Sequence, residues 1–399
     1  MSAVLFTAGP SLGHMMRVLP LADRLRASHQ VAIATDGRRW LETIRFRGYE
    51  PHILPGIVSG AILEGGSAGL ADHYIRQAVE WDLELLRRLQ PCVVVIDWRP
   101  SMRLAAAILG LPVVAIANVH VTRAYRGRRA APALHPIVRR VGQRAGDLLM
   151  PLLEPVFQRA WARPYQQIAR EHGAEGWADL RDYIIGDVTL YPDLPCLAPA
   201  RPGSGIYIGP LISPPAADEL PALRGPVLYI STGSEDIQRF APQLVAAIGE
   251  WPGDVVVTRG SNADQGVWPA GWIVRNYVDP AALYAGGRPV VWLYHGGNGS
   301  SYQLLQRWVA APHATHGAVA LPFHVEHQWN VRTMQRLGAV SAGALAQRLD
   351  DPAQQRRVGS ALRALAAAPL PPPPPQLVQE VRTYGDAVGR AVAEIERWL

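Results

Sequence analysis

At 399 residues the chain is too long for one ordinary domain, and 49% hydrophobic with 18% charged residues is a globular balance. Net charge is +6, but every basic residue is arginine and Ala, Pro and Gly abound, so coding bias explains the excess better than nucleic-acid binding. No uninterrupted apolar run reaches spanning length, and Cys92 and Cys196 stand far apart without metal-ligand spacing, as inert thiols in a reducing cytoplasm would. In chain order, Ala3 to Thr7 reads as a buried strand with no basic segment ahead of it, so no signal peptide is expected. A loop through Gly9, Gly13 and His14 precedes a helix from Met15 to Ala27, and Val31 to Thr35 is the next strand. This opening is typical of a doubly wound α/β domain, but the G-x-G-x-x-G spacing is absent and no dinucleotide is assigned. Tyr49 to Ile57 reads as strand and turn, Gly60 to Gly69 as a mobile Gly/Ser-rich loop, and His73 to Gln90 as a helix. Pro91 to Ile96 is a strand of the fully buried parallel type, and it ends at Asp97. An acid there either orients an imidazole across the loops or caps the following helix. Arg103 to Leu109 is helical, and Pro112 to Ala117 is another strand.

Residues 119 to 180 carry many arginines and few strand signals. Two helices are expected, around Ile137 to Met150 and Leu152 to His172, with Arg139, Arg140 and Arg144 on a basic face. A solvated helical face is the plain reading there; a membrane-surface helix is an alternative, although Pro151 and Pro155 interrupt the apolar pattern. Asp187 to Tyr191 and Ile206 to Pro210 close the first domain, and the Pro- and Ala-rich stretch 211–226 is the linker. A second α/β unit opens at Val227 to Ile230, followed by the turn Ser231-Thr232-Gly233-Ser234. Val255 to Thr258 and Trp272 to Arg275 are further strands, and Val290 to Tyr294 is a buried one. It stops at His295-Gly296-Gly297-Asn298-Gly299-Ser300-Ser301, and a helical pattern begins at Tyr302. Strand, Gly-rich turn and helix start make a phosphate site: glycines let backbone N–H groups approach an anion, and the helix terminus carries partial positive charge. Ser300 and Ser301 stand where an N-cap hydroxyl belongs, and His295 can donate to a second phosphate. Ala318 to Pro322 is a short strand that leads into Phe323-His324-Val325-Glu326-His327-Gln328-Trp329-Asn330. Polar residues after a buried strand fall where α/β sheets bind ligands.

These anchors resemble the nucleotide-sugar-dependent glycosyltransferases of the GT-B fold that act on small lipophilic acceptors, bacterial antibiotic and macrolide aglycones and plant secondary metabolites among them. Their signature reads H-G-G-x-G-T or H-C-G-W-N-S, then P-x-x-x-[DE]-Q-x-x-N. His295 to Ser300 matches the first part; Pro322, Glu326 and Asn330 match the second at its spacing. His327 departs from the family's Gln, and the stretch from Ser301 to Pro322 is longer than usual, with residues 308–317 expected to bulge near the site. The resemblance implies two Rossmann-like domains facing across a cleft. Residues 1–210 would bind acceptor, with 119–180 forming part of the acceptor cleft, 227–375 would bind the nucleotide sugar, and 376–399 would be a helix crossing back after the proline run at 369–375. It implies inverting, metal-independent hexosyl transfer from an NDP-sugar, UDP- or dTDP-linked, to an acceptor hydroxyl, without a further cofactor.

The resemblance also assigns residues. Gly13-His14 resembles the pair that opens the family's first helix, so the resemblance makes His14 the catalytic base and Asp97 its partner; by residue type alone His14 reads as a capping or packing histidine. Gly233, Ser234, His295, Gly297, Asn298, Gly299, Ser300 and Ser301 would hold the diphosphate. Tyr277 or Val278 would lie against the base, Gln303 would meet the ribose, and Glu326 and His327 would read sugar hydroxyls. Alternatives stay open: a lipid-acceptor transferase at a membrane surface, a non-hydrolysing NDP-sugar 2-epimerase of the same fold, and a non-catalytic sugar-nucleotide-binding partner.

Overall fold

The computed structural model describes residues 2–55, 72–212, 217–231, 233, 240–260, 267–343 and 345–399. The chain divides into two units: Met1–Leu211 together with Thr383–Leu399, and Ile212–Arg382. The Gly/Ser-rich loop expected at 60–69, Ser234, and residues 213–216 of the expected linker lie outside the described residues.

In the first unit, β1 (Ala3–Ala8), β2 (Gln30–Thr35), β3 (His52–Ile53), β4 (Val93–Asp97), β5 (Val113–Ile116), β6 (Val188–Tyr191) and β7 (Ile206–Tyr207) form one sheet. Its order is β3-β2-β1-β4-β5-β6-β7, and every pairing is parallel. A parallel sheet is covered on both faces, and so its strands are near-continuous Val, Ile and Ala. Alternate side chains part to opposite sides. Val4, Phe6, Val93 and Val95 join a core with the Leu12–Leu25 helix and the terminal Ala387–Glu396 helix. Leu5, Val94 and Ile96 join another with the Asp72–Leu89 and Pro100–Ile108 helices.

The second unit repeats the scheme with β8 (Val227–Ser231), β9 (Val255–Thr258), β10 (Ile273–Arg275), β11 (Val290–Tyr294), β12 (Thr315–Ala320) and β13 (Val340–Gly343). The order is β10-β9-β8-β11-β12-β13, again parallel throughout. Both sheets reverse direction of growth at one place, between β1 and β4 and between β8 and β11. Ligands of such sheets bind beyond the strand ends at that switch point. Two parallel α/β sheets of this order are the architecture of the GT-B fold.

Several local expectations change. The break in the 137–172 region falls at Gly142, which has a φ of 86°, and one helix, Gln143–Glu171, continues through Pro151, Pro155 and Pro164. Each proline removes one N–H and strains the turn before it, without ending a helix that is packed further along. The helix after β11 starts at Asn298, not Tyr302, with Gly297 as its N-cap, so Ser300 and Ser301 lie inside the first turn. The expected bulge at 308–317 is absorbed by extending that helix to Ala310 and starting β12 at Thr315. Its length therefore sits at the helix's end and the strand's beginning, away from the carboxyl edge of the sheet. Residues 376–399 form two helices, Pro375–Thr383 and Ala387–Glu396, the second capped by the Asp386 carboxylate on Gly389 N. The proline run is pinned within its own unit, where Leu370 N donates to Thr315 O at 2.9 Å and Trp308 Nε1 to Pro371 O at 2.9 Å.

Candidate active site

At the switch point of the first unit, Gly9 N donates to Asp97 O at 3.0 Å, tying together the loops that leave β1 and β4. His14 lies in the first turn of the helix after β1, and its Nδ1 is 2.7 Å from Asp97 Oδ1. Gly9 leaves room for the ring: a Cβ there would stand 3.1 Å from His14 Cδ2. Asp97 is 1% exposed while the imidazole keeps 21% of its surface. The carboxylate is thus inside and the imidazole reaches outward. With Nδ1 hydrogen-bonded to a carboxylate, the neutral ring carries its proton there and leaves Nε2 as the acceptor. Trp98, next in the chain, has a φ of 59°, a left-handed conformation that costs a bulky residue roughly 1–3 kcal/mol.

A second line of polar groups backs this pair, and sequence reasoning missed it. Arg17, one helical turn after His14, places Nη1 at 3.8 Å from Asp97 Oδ2 and donates from Nη2 to Asn118 Oδ1 at 2.7 Å. Asn118 Nδ2 donates to Asp193 Oδ1 at 2.8 Å, and Val119 N donates to Asp193 Oδ2 at 2.7 Å. Asn118 and Asp193 each lie two residues beyond a strand, β5 and β6. That offset was the available signal. Arg17 had none, because it stands among Met15, Met16 and Val18 on an apolar helix face. Beside them a buried Arg99 grips Asp82 with Nη2 at 2.9 Å and lies 3.7 Å from Asp36. Burial pushes the Asp82 carboxyl up, and Arg99 opposes the shift.

At the switch point of the second unit, His295 leaves β11 with its Nδ1 3.4 Å from Ser231 O at the end of β8. Two glycines make room for its ring. A Cβ on Gly233, whose φ is 61°, would fall 2.3 Å from His295 Cε1, and one on Gly297 would fall 2.1 Å from Nε2. Gly296 has a φ of 87°, which turns the chain sharply into the Asn298–Ala310 helix. The N–H groups of Asn298, Gly299 and Ser300 have no helical acceptor at this end, and the dipole adds positive potential. Ser300 Oγ lies 3.2 Å from Ser231 Oγ, and Ser301 is buried, donating to Tyr294 Oη at 3.3 Å. Gln303 is half-buried in the next turn.

The second motif locks onto the first. Asn330 Nδ2 donates to Gly296 O at 3.0 Å and so holds the Gly-rich turn in place, a role its motif match had not suggested. Glu326 and His327 are turned apart, because both lie in the Val325–Arg336 helix, where consecutive side chains diverge by about 100°. Glu326 is half-buried. His327 is packed inward at 5% exposure, its Nδ1 accepting from Phe323 N at 3.4 Å, its ring centred 3.6 Å from His324 and 4.8 Å from His295. Burial, then the two neighbouring histidines, hold its pKa well below the usual imidazole value. Tyr277 is half-buried, with its carbonyl accepting from Asp218 N at 2.8 Å, and Val278 is buried. Among the described residues no group of three or more His, Cys, Asp or Glu could hold a metal ion.

No family model matches the chain. A PGL/p-HBAD biosynthesis glycosyltransferase of Mycobacterium tuberculosis (strain ATCC 25177 / H37Ra) is 29% identical over 343 residues, 82% of this chain and 77% of that protein. A PGL/p-HBAD biosynthesis rhamnosyltransferase of Mycobacterium bovis (strain BCG / Pasteur 1173P2) is 28% identical over 351 residues, 84% of this chain and 75% of that protein. Among solved structures, the glycotransferase of kitacinnamycin superposes with a TM-score of 0.67 at 20% identity, covering 100% of this chain and 99% of that one. The spinosyn rhamnosyltransferase SpnG complexed with thymidine diphosphate gives 0.63 at 16% identity, covering 100% and 99%. The paired sheets and these likenesses show that the chain has the GT-B fold, and over four fifths of its length it is similar to glycosyltransferases.

Proposed function

We propose that the protein moves a sugar from a nucleoside diphosphate to a hydroxyl of a small lipophilic acceptor, with inversion and without a metal. The observation that carries this reading is the 2.7 Å contact between His14 Nδ1 and the buried Asp97 carboxylate. It leaves Nε2 as a base for the acceptor hydroxyl and a counter-charge for the imidazolium that forms. The acceptor oxygen forms its bond to the anomeric carbon as the bond to the diphosphate oxygen breaks, and a single displacement inverts the configuration. The electron pair leaves on the diphosphate. The N–H groups at Asn298 to Ser300, His295 and the Gly233 turn meet that charge, the work a divalent cation does elsewhere. Ser234 stays assigned to the same turn. Ser300 Oγ, beside Ser231 Oγ, is a diphosphate donor, and Ser301 supports the helix start from inside. Tyr277 is the assigned base contact, Val278 backs it from the core, Gln303 the ribose contact and Glu326 the sugar contact. We assign His327 a supporting position behind His295. The thymidine diphosphate bound to SpnG and the rhamnosyltransferase relative favour a dTDP-linked deoxysugar as the first donor to test.

The test incubates EDTA-treated protein with UDP- and dTDP-sugars and a panel of lipophilic alcohols and phenols. Mass spectrometry detects the conjugate, and the anomeric coupling constant reports configuration. A conjugate of inverted configuration is expected. Retention, or activity only after magnesium or manganese is restored, rejects the mechanism. Turnover of donor alone to an epimer points to the epimerase instead.

A further inference from the structure

Among the described residues, one face of the Gln143–Glu171 helix carries exposed apolar side chains. Four of its five buried residues, Ala162, Tyr165, Ile168 and Ala169, lie in the carboxyl-terminal third, and only Gly146 is buried before them. Yet Leu148 and Leu152 are each 74% exposed and Val156 is 61% exposed. At spacings of four these three form one stripe along the helix, about 12 Å long. Val141 of the preceding Pro136–Val141 helix and Leu149 extend it, both exposed.

The charges around this stripe have one sign. Arg139, Arg140, Arg144, Arg159 and Arg163 are all exposed, with no acidic partner among the described residues. On a helical projection Arg144 precedes the three apolar residues, and Arg159 and Arg163 follow on the same face. The two acids of the segment are spent inward. Asp147 Oδ1 accepts from Ala131 N and Gln143 Nε2, each at 2.8 Å, and Glu154 pairs with Arg129 and Arg181, each at 3.2 Å.

We propose that this face lies on an anionic lipid surface, with Leu148, Leu152 and Val156 in the acyl boundary and the arginines at the headgroups. An apolar centre inside a ring of cations fits a surface that is oily and negatively charged at once. A second copy fits poorly, because a two-fold contact would set the same arginines against one another. Nucleic acid would leave the apolar centre unburied. Among the described residues no helix is long and apolar enough to cross a membrane, so the contact is peripheral. The docking is independent of the roles given to His14 and Asp97. It deepens the proposed reading in one respect: the acceptor class would include lipid-dissolved hydroxyl compounds reached from the membrane plane.

Vesicle flotation of the full chain tests it, with phosphatidylcholine vesicles and with vesicles holding a third phosphatidylglycerol. The expected result is binding to the anionic vesicles at low salt, at least ten-fold weaker for L148Q/L152Q/V156Q and for R139Q/R140Q/R144Q, and little binding to phosphatidylcholine alone. Circular dichroism melts confirm that both variants keep the wild-type fold, as substitutions at exposed positions should. No binding to anionic vesicles, or unchanged binding by both variants, overturns the proposal. So does a wild-type dimer in light scattering that L148Q/L152Q/V156Q converts to monomer, which assigns the face to a second copy.

Discussion

Replacing Arg17 with methionine removes the guanidinium beside Asp97 while nearly preserving the side chain's volume. The two side chains are 10% and 2% exposed and their closest charged atoms stand 3.8 Å apart, so screening by solvent is small. At that separation and an effective dielectric of about 20, their attraction is about 4 kcal/mol. Breaking a buried pair from one side costs roughly 3–5 kcal/mol, because the partner is left charged and dry. Asp97 keeps its bond to His14, which argues for the lower end, about 3 kcal/mol. Asn118 Oδ1 loses its donor as well, at about 1 kcal/mol or more. For a unit of this size each kcal/mol shifts the melting point by about 2–4 °C, so a total of about 4 kcal/mol lowers it by roughly 8–16 °C. The assay is thermal unfolding by circular dichroism of wild type, Arg17→Met, Asp97→Asn and the double variant. The two single changes should be strongly non-additive, since each removes one end of the same contact. A fall below 2 °C, or strict additivity, would refute the view that Arg17 holds Asp97.

Gly233→Ala should weaken nucleotide binding at least ten-fold in calorimetry, because a Cβ would sit 2.3 Å from the His295 ring at a φ of 61°; undiminished affinity would remove Gly233 from the donor site. His327→Gln should flatten the acid side of the stability curve. His327's folded-state pKa lies well below the usual 6.5, so the unfolded chain takes up a proton first. Its contribution is fully present above pH 6.5 and is lost as pH falls below it, so the wild type should lose melting temperature between pH 6.5 and 5 faster than the variant. Parallel curves for the two proteins would show that His327 is not held neutral. The same variant should alter relative use of epimeric donors through the changed packing behind His295, measured as a ratio of kcat/KM values.

The fold was legible because buried parallel strands announce themselves. Pro91 to Ile96 and Val290 to Tyr294 are almost wholly apolar, and a sheet covered on both faces requires that. His14 beside the start of a helix and Asp97 at the end of a strand were legible as residue types. Their 2.7 Å contact depends on which strands are neighbours, and β1 and β4, which end and start at Ala8 and Val93, pair only in the folded sheet. Arg17 was hidden because an arginine on an apolar helix face reads as a surface residue until its partner across the sheet is known. Glu326 and His327 were assigned together as polar residues that follow a strand; they lie in a helix that begins at Val325, where consecutive side chains diverge. The prolines in the Gln143–Glu171 helix misled in the same way: local propensity favoured a break that the packing of Ala162, Tyr165 and Ile168 overrides.

The central claim is that His14 is the base. Turnover of an NDP-sugar and a lipophilic alcohol by His14→Ala, compared with wild type alongside calorimetric binding of the nucleoside diphosphate, tests it most directly. Loss of a general base should lower kcat by roughly a hundred- to ten-thousand-fold. Nucleotide affinity should stay unchanged, since His295, Gly233 and the Asn298–Ala310 helix are untouched. Asp97→Asn should fall between the two proteins. Turnover of His14→Ala within a few-fold of wild type would contradict the mechanism.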